Sequence, residues 1–389
     1  MSSPRRIGVL TSGGDCPGLN AVIRGVVKSA SRFGYEVVGF RRGYEGLVDP
    51  VDYMMLDRQN TLGIINRGGT ILGSTNKGRF GARRGIDERI DLPAELISSV
   101  KDTFRVLSLE GLICIGGDGS LAVAEQFEEA GLPVIGVPKT IDNDLSSTAF
   151  SFGFDSAVAC ATDAIDRLYT TAISHERVMI VEVMGRHAGW IGLHAGIAGG
   201  AGVILIPEIE WSFDNICQKI LERDREHKRF SVIVVAEGAR LPDGHLVTSG
   251  TPDGPAAGQV HLGGIGEIVA REIEHRLNRE VRCVVLGHLQ RGGPPTNFDR
   301  CLATMYGAHA VRLLIQQRFG MMVSYQPPAI RAVPIKEAVG KLSQVNLDNS
   351  GVEAARALGI SFGDIPPRDS LEALHWRPDD TPNTSSLPQ

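Results

Sequence analysis

Short apolar segments rich in Val, Ile and Leu alternate with helical patterns along most of the chain. The segments typical of strands are 6–10, 36–40, 112–117, 132–138, 178–185, 202–208, 230–239 and 282–288. The helical pattern is clearest at 21–34 and 121–131. Strands that are apolar throughout are typical of parallel sheets buried on both faces, and helices between them act as right-handed crossovers. The pattern therefore predicts a doubly wound α/β fold.

Composition narrows the class of protein. The chain has 389 residues, enough for two or three compact units, and a formal net charge of −5. That charge builds no broad basic surface, so we expect no nucleic-acid partner. No apolar run reaches about 18 residues, so we expect no membrane span. Six cysteines without a CxxC pair predict reduced, mostly buried thiols, and with no signal-peptide pattern they favour a cytoplasmic location.

Two other segments differ from the strand and helix pattern. Residues 241–258 are the richest in Pro and Gly inside the fold, which predicts a surface excursion. Residues 365–389 end in a polar, Pro-rich sequence, which predicts a disordered tail.

Two glycine-rich turns follow predicted strands and precede predicted helices. Residues 11–25 read TSGGDCPGLNAVIRG, and free backbone N–H groups at such a helix start can bind phosphate. Glycines that serve only packing remain an alternative there. The second turn, GGDGS at 116–120, adds Asp118. A carboxylate beside phosphates repels them unless it holds Mg²⁺ between, although Asp118 as a helix N-cap is the alternative.

The densest cluster of polar side chains is PKTIDND at 138–144. Asp142 and Asp144 are spaced to point the same way in an extended chain, beside Lys139. They can supply an acid on the metal side and a base for a substrate hydroxyl. A polar turn held by Asx hydrogen bonds is the alternative.

Arginine and histidine recur where later apolar segments end. Arg186 lies in VMGRHAGW, and His288 and Arg291 lie in LGHLQRGG. Guanidinium groups bind phosphate through two parallel hydrogen bonds, so the set indicates an anion site suited to a sugar phosphate. A lone arginine would indicate only a solvated surface charge.

Five motifs, in this order, resemble the bacterial type of phosphofructokinase: 11–25, 116–120, 138–144, 184–190 and 286–293. The resemblance covers roughly residues 6–307. It implies an ATP-dependent kinase of glycolysis that transfers a phosphoryl group to the 1-hydroxyl of fructose 6-phosphate with Mg²⁺. It also implies two doubly wound domains with mostly parallel sheets and the active site in the cleft between them. The implied donor domain is 1–152 plus about 290–340, and the sugar-phosphate domain is 153–289 plus about 341–364.

The resemblance also implies roles for single residues. Asp142 would be the general base and Asp118 the carboxylate associated with Mg²⁺. The other residues implied at the donor site are Gly14, Asn76, Lys77, Gly117, Gly119 and Ser120. The other residues implied at the sugar or the transferred group are Thr140, Ile141, Asp144, Arg177, Met184, Gly185, Arg186, Glu237, Arg282, His288 and Arg291. In the family, arginines matching Arg177 and Arg282 come from a neighbouring subunit, which implies a homotetramer built as a dimer of dimers with shared active sites.

Two positions bear on the choice of donor. Pyrophosphate users of the family typically carry a second aspartate after the GGD acid, where this chain has Gly119. A side chain there would crowd and repel the α-phosphate of ATP, so Gly119 favours ATP. Lys139 is a feature of the pyrophosphate branch, since many bacterial ATP users have glycine there. We predict ATP as the donor and keep pyrophosphate as the alternative.

The chain departs from the family pattern elsewhere. Asn76 replaces an arginine that many members place near the transferring group, and Lys77 or Arg79 could supply the charge. Positions that bind regulatory anions are matched by Arg24, Lys28, Arg58 and Lys228, but Tyr169 stands where another arginine is usual. This difference predicts weaker or altered anion regulation. No role is predicted for residues 335–364.

Other classes of protein explain less of the sequence. GGDGS also occurs in NAD kinases and diacylglycerol kinases, but those leave the motifs at 138–144, 184–190 and 286–293 unexplained. A non-catalytic sugar-phosphate sensor would be expected to lack Asp118 or Asp142, and both are present.

Overall fold

The computed structural model describes residues 4–75, 78–84, 88–248 and 262–365. The strands are β1 Arg5–Thr11, β2 Tyr35–Phe40, β3 Tyr53–Leu56, β4 Arg83–Arg84, β5 Glu88–Arg89, β6 Leu109–Gly116, β7 Val134–Thr140, β8 Phe152–Gly153, β9 Val178–Val183, β10 Val203–Leu205, β11 Ser231–Ala236, β12 Val281–Val285, β13 Met321–Gln326 and β14 Ala329–Pro334. The α-helices are α1 Leu19–Arg32, α2 Ala94–Leu107, α3 Asp118–Glu129, α4 Phe154–His175, α5 Trp190–Ala198, α6 Phe213–Arg225, α7 Ile265–Leu277, α8 Asn297–Ile315, α9 Ile335–Ala338 and α10 Ser350–Ala357.

The larger sheet has the strand order β14-β13-β7-β6-β1-β2-β3, with β8 paired to β7. Its central strands are parallel, whereas β3 and β14 pair antiparallel at the two edges. The chain runs from β1 to β2 on one side and then crosses to β6 on the other side. The strand order therefore reverses between β1 and β6, where doubly wound folds bind ligands at the carboxyl ends of the strands.

The smaller sheet consists of β10-β11-β9-β12, and all of its pairings are parallel. Strands β9 and β11 are buried along their whole length. This burial matches the apolar segments that predicted them, because a strand covered by helices on both faces presents no side chain to water.

Close helix packing joins elements that are distant in sequence. Helices α1 and α8 approach at Gly25 and Gly307. A Cβ atom at Gly307 would lie 2.5 Å from the Val22 carbonyl oxygen, and one at Gly25 would lie 2.8 Å from the Thr304 carbonyl oxygen. Real Cβ atoms do not approach so closely, so the contact requires glycine at both positions.

The structure confirms the predicted fold class and each of the predicted strands, with ends that differ by a few residues. Helix α3 begins at Asp118, three residues before the predicted start at 121. The sequence pattern did not predict the edge strands β3 and β14. The two-domain boundaries stay a prediction, although strands from 5–153 and 321–334 form the larger sheet and strands from 178–285 the smaller one.

Three further predictions concern the whole chain. No helix among the described residues is long and apolar enough to cross a bilayer. All six cysteines are free thiols, and three of them are buried, but Cys301 is exposed, which the prediction of mostly buried thiols did not anticipate. Most of the predicted tail, 366–389, and residues 249–261 of the predicted excursion lie outside the described residues.

Candidate active site

The turns after β1 and β6 lie side by side, because these strands are neighbours at the point where the strand order reverses. The hydroxyl groups of Ser120 and Ser12 are 3.0 Å apart, and the Ser12 N–H donates to the Ile115 carbonyl. Both glycine-rich turns predicted from the sequence therefore belong to one site. The second turn adds another wall beside residues 11–25. This favours the anion-binding interpretation over glycines that serve only packing.

A cavity of about 500 Å³ opens between these turns, and we call it the donor cavity. The described residues that line it are Ser12, Gly13, Gly14, Tyr44, Glu45, Thr75, Gly78, Phe80, Gly81, Ala82, Arg83, Gly117, Asp118, Gly119, Ser120, Val123 and Lys139. It contains every described residue predicted for the donor site. Asn76 and Lys77, which were also predicted for it, lie outside the described residues.

Asp118 is the first residue of α3, and it does not cap the helix. Its Oδ1 accepts a hydrogen bond of 2.7 Å from the Gly340 N–H, and its Oδ2 lies 3.5 Å from Nε of Arg83. The N-cap position belongs to Gly117, so the N-cap interpretation of Asp118 is wrong. A carboxylate in the first turn is favoured by the positive end of the helix dipole. Asp118 is thus a fixed negative group on the wall of the donor cavity.

Gly119 lines the same cavity, and a Cβ atom built on it would meet no described atom within 4 Å. The space that a side chain would occupy is therefore cavity and not protein. This is the geometry that the steric argument for ATP requires, since an aspartate here would project its charge without first clashing with the fold.

Lys139 lies beneath the first glycine-rich turn. It is 4% exposed, and its Nζ donates to the Gly14 carbonyl at 2.5 Å. Burial lowers the pKa of Lys139, while the nearby Cys16, Asp15 and Asp142 act to raise it. The Lys139 side chain is therefore a buried amine that lines the donor cavity and is bonded to the first glycine-rich turn.

A second cavity of about 670 Å³ adjoins the first, and we call it the acceptor cavity. The described residues that line it are Gly13, Gly14, Asp15, Thr70, Gly73, Ser74, Asp142, Met184, Arg186, Glu237, Leu262, His288 and Arg291. Gly13 and Gly14 line both cavities, so the two spaces meet at this turn. The acceptor cavity draws side chains from the larger sheet, from the loops after β9 and β11, and from the segment after β12.

Asp142 is one of the acidic groups that line the acceptor cavity. Burial and the neighbouring Asp144 raise the pKa of Asp142 to about 7, and Arg291 opposes the rise. Its Oδ1 is buried and accepts no hydrogen bond from the described residues. A carboxylate with an unpaired oxygen and a pKa near neutrality has the properties of a general base.

The extended geometry predicted for residues 142–144 is wrong. Asn143 has a φ of 51°, in the left-handed region, so the chain turns sharply between the two aspartates. The Asn143 side chain holds this turn by accepting from the Ser151 N–H and donating to the Ala149 carbonyl. The polar-turn interpretation therefore applies to Asn143, whereas Asp142 faces the acceptor cavity.

Asp144 and its neighbours lie behind the cavity wall. The Thr140 hydroxyl donates to Oδ1 of Asp144 at 3.0 Å, and burial raises the pKa of Asp144. Neither residue is among those that line the cavities. The Ile141 side chain is 1% exposed and belongs to the core, so any substrate contact is limited to its backbone.

The remaining lining of the acceptor cavity is charged or polar. Arg291 donates to the Asp15 carbonyl at 3.2 Å, and a Cβ atom on Gly14 would lie 2.8 Å from Nη1 of Arg291. Burial and the nearby Glu182 raise the pKa of Glu237. Gly185 has a φ of 138°, which lets the chain turn between the buried Met184 and the exposed Arg186.

Arg177 and Arg282 lie together but outside the lining of both cavities. Each pairs with the Glu280 carboxylate at 2.6 Å. The structure therefore gathers the two arginines at one place without bringing them to the acceptor cavity of the same chain.

Sequence reasoning missed the two residues that hold the Asp118 carboxylate, Arg83 and Gly340. Arg83 follows a glycine-rich stretch without strand or helix periodicity, and Gly340 comes from a segment more than two hundred residues after Asp118. No local pattern links Gly340 to the site, because only the return of the C-terminal segment to α3 brings it there.

Comparison with known proteins decides which family has this site. A family model described as Phosphofructokinase matches residues 6–314, most of the chain. The chain belongs to the phosphofructokinase family. The resemblance predicted from the five ordered motifs is therefore confirmed.

Relatives within the phosphofructokinase family include users of both donors. An ATP-dependent 6-phosphofructokinase of Chloroflexus aurantiacus is 52% identical over 93% of this chain and 99% of its own length. A pyrophosphate--fructose 6-phosphate 1-phosphotransferase of Streptomyces coelicolor is 49% identical over 88% of this chain and 96% of its own length. Overall similarity to the family therefore leaves the choice of donor to single positions.

A solved structure supports the fold independently. The phosphofructokinase of Pichia pastoris in the T-state superposes with a TM-score of 0.75 at 29% identity. The match covers 92% of this chain and 37% of that chain, which is much longer. The doubly wound architecture described above is the phosphofructokinase fold.

Proposed function

We propose that this protein is an ATP-dependent 6-phosphofructokinase, which forms fructose 1,6-bisphosphate and ADP. The observation that carries the proposal is the meeting of the donor and acceptor cavities at Gly13 and Gly14, with Asp142 facing the acceptor side. A phosphoryl group in the donor cavity and a sugar hydroxyl in the acceptor cavity would approach each other at this turn. The 52% identical ATP-dependent relative agrees with this activity.

Asp142 is proposed to take the proton from the 1-hydroxyl of fructose 6-phosphate. Its carboxylate would receive the proton as the hydroxyl oxygen bonds to the γ-phosphorus and the bond to the leaving ADP oxygen breaks. The raised pKa of Asp142 suits this exchange, because a base titrating near neutrality accepts a proton readily at physiological pH. Arg291 and Lys139 lie close enough to affect Asp142 electrostatically, and they are proposed to stabilise charge on the transferring group.

Asp118 is proposed to hold Mg²⁺ together with the phosphates of ATP. Mg²⁺ prefers oxygen ligands and usually keeps several waters, so one protein carboxylate beside the phosphates suffices. The site fits this pattern, because the Asp118 carboxylate lines the donor cavity beside the glycine-rich turns. When bound, the ion neutralises charge on the donor phosphates; Asp118 orients it.

The preference for ATP over pyrophosphate is proposed to rest on the open space at Gly119. Lys139 does not contradict this, because its ammonium group is tied to the Gly14 carbonyl beneath the turn and leaves the space beside Gly119 unfilled. The contrast with the pyrophosphate-named relative, 49% identical, makes this the position to test.

The sugar 6-phosphate is proposed to bind arginines of a neighbouring subunit. Arg177 and Arg282 are held together by Glu280 away from the acceptor cavity of their own chain, which is the placement expected if they serve another copy. The protein would then be a homotetramer with shared active sites, acting in the cytoplasm. Mixing an Asp142→Asn subunit with an Arg177→Ala subunit should restore activity that neither variant has alone, whereas a self-contained site would stay inactive.

The decisive experiment measures formation of fructose 1,6-bisphosphate by the purified protein with Mg²⁺, using ATP and pyrophosphate in parallel. Turnover with ATP and little with pyrophosphate is expected, and a chelator should abolish it. Turnover with pyrophosphate alone would overturn the donor assignment. Binding of fructose 6-phosphate without turnover by either donor would overturn the enzyme assignment and favour a sensor.

A further inference from the structure

Residues 340–345 run from the donor cavity to the loop that follows β9, and we call them the strap. At the first end, the Gly340 N–H donates to Oδ1 of Asp118 at 2.7 Å. Gly340 has a φ of 74°, and a Cβ on it would lie 2.5 Å from Nη2 of Arg83. Asp118 is therefore held from one side by the strap and from the other by Arg83, and a side chain at 340 would have to displace Arg83 and adopt a strained positive φ.

The middle of the strap follows the loop that carries the predicted base. The Ser343 N–H donates to the Asp144 carbonyl at 2.8 Å, and the Ser146 N–H donates to the Lys341 carbonyl. Leu342 forms an isolated antiparallel bridge with Leu145. These backbone bonds fix the register of the strap against the 142–146 loop.

The other end of the strap contacts the acceptor side. The Trp190 indole N–H donates to the Ser343 carbonyl at 2.8 Å, and the Gln344 side chain donates to the His187 carbonyl at 2.8 Å. Oε1 of Glu208 accepts from both the Val345 N–H and the Gly189 N–H, each at 2.9 Å. The loop that presents Arg186 to the acceptor cavity is therefore bonded to the strap at His187 and, through Glu208, at Gly189.

The strap is anchored on different sheets at its two ends. Before it, α9 packs against α3 and against β13 and β14 of the larger sheet. After it, α10 packs on α5, and Ser361 pairs with Val203 of the smaller sheet. The strap therefore links elements packed on the two sheets and contacts Asp118 at its first end.

We propose that the strap is a positioning element of the active site, which fixes Asp118 at one end and the Arg186 loop at the other. The inference rests on the proposed kinase function. The strap lies within residues 335–364, for which the sequence predicted no role. Partners that orient a metal-binding side chain typically affect metal affinity or activity 10- to 100-fold when they are changed.

The first test is Gly340→Ala, with Gly359→Ala as its matched control. Both glycines lie in the C-terminal segment and have similar positive φ, 74° and 78°, but a Cβ at Gly359 meets nothing within 4 Å. A methyl at 340 must displace Arg83 or the Gly340 N–H, so kcat should fall about 10- to 100-fold. The control should retain kcat within about threefold, since it shares only the backbone strain.

A binding measurement separates positioning from general damage. Calorimetric affinity for the imido analogue of ATP should weaken about tenfold in Gly340→Ala with Mg²⁺ present, and should equal that of the wild type in a chelator. Equal weakening under both conditions would overturn the assignment to Asp118. An inactive wild-type protein would count against the proposed function, whereas an active wild type with an unaffected Gly340→Ala would count against the strap alone.

The opposite end is tested by Trp190→Phe, which keeps a ring but removes the bond to the Ser343 carbonyl. The KM for fructose 6-phosphate should rise about fivefold, the equivalent of one hydrogen bond of about 1 kcal/mol, with the KM for MgATP unchanged. A variant with both KM values unchanged would overturn the acceptor-side role. This variant also carries the test should Gly340→Ala not fold.

Discussion

The donor and acceptor cavities share one turn but are built in different ways. Glycine is the commonest residue type lining the donor cavity, which also contains Asp118 and Arg83 as an ion pair. The acceptor cavity is walled by ionisable side chains, among them Asp142, Glu237 and Arg291. The donor cavity is therefore distinguished by the open space beside Gly119, and the acceptor cavity by its ionisable side chains.

This difference teaches where each kind of specificity resides. Backbone N–H groups bind any phosphate chain, so the donor side is expected to discriminate through the space and charge at single positions, as at Gly119. The acceptor side discriminates by charge, and burial shifts the pKa values of Asp142 and Glu237 upward. Substitutions on the acceptor side should therefore affect chemistry, and those on the donor side should affect the choice of donor.

The largest expected effect is that of Asp142→Asn. The amide cannot take the hydroxyl proton, so kcat should fall about 10³-fold, within the usual range for loss of a general base, with KM for ATP little changed. Steady-state kinetics with saturating MgATP measures this. Asp144→Asn is the matched control, since Asp144 lies behind the cavity wall, and it should cost clearly less. A greater loss in the control would reverse the assignment of the base.

A donor-side substitution should change selectivity instead. Gly119→Asp places a carboxylate in open space beside the donor phosphates, and kcat/KM for ATP should fall roughly 100-fold by charge repulsion. The kcat/KM for pyrophosphate should fall less or rise.

Gly119→Ala is the control for the preceding substitution. Its methyl group meets no described atom within 4 Å and adds no charge, so ATP turnover should stay within about threefold of the wild type. If the alanine and aspartate variants lost ATP turnover equally, the Cβ atom and not the charge at this position would account for the loss, and the repulsion argument would fail.

Much of the fold could be predicted because buried parallel strands leave a direct pattern. The segments at 112–117 and 178–185 became β6 and β9, whose side chains are almost all buried. The edge strand β14 gave no such pattern, since most of its residues are only partly buried. A strand covered on one face, and paired antiparallel at an edge, mixes polar and apolar residues without a recognisable run.

The candidate site could also be predicted only in part from the sequence. The motif residues Asp118, Gly119 and Asp142 could be predicted because each directly follows a buried strand. The contact between Gly340 and Asp118 could not, because it depends on the path of the C-terminal segment across two sheets. The turn at Asn143 was also missed, since its left-handed φ is stabilised by Ala149 and Ser151, which lie beyond the motif.

The pH dependence tests the acceptor side without mutation. With the pKa of Asp142 near 7, the deprotonated fraction falls about tenfold between pH 8 and pH 6, and kcat/KM for fructose 6-phosphate should follow. The folded-state pKa lies above the value that an aspartate has in an unfolded chain, so Asp142 contributes stability at low pH that is lost as the pH rises through 7. Asp142→Asn should therefore gain stability relative to the wild type between pH 5 and pH 8 in urea unfolding. A constant difference would place the carboxyl in a water-like environment.

The smallest expected effect is that of Lys139→Met, which replaces a residue that lines the donor cavity and affects Asp142 of the acceptor cavity. Lys139 acts to lower the pKa of Asp142, so Lys139→Met should move the acid side of the pH profile to higher pH. The profile of kcat/KM between about pH 5.5 and about pH 9, which brackets the pKa of Asp142, measures the shift. Lys336→Met is the control, because Lys336 is exposed on α9 and should leave the profile unchanged. An unchanged profile would mean that Lys139 is neutral in the folded protein, since only its charged form favours the Asp142 carboxylate. The ratio of ATP to pyrophosphate turnover in Lys139→Met should stay that of the wild type, because the lysine is bonded to Gly14 beneath the turn and not to the space beside Gly119.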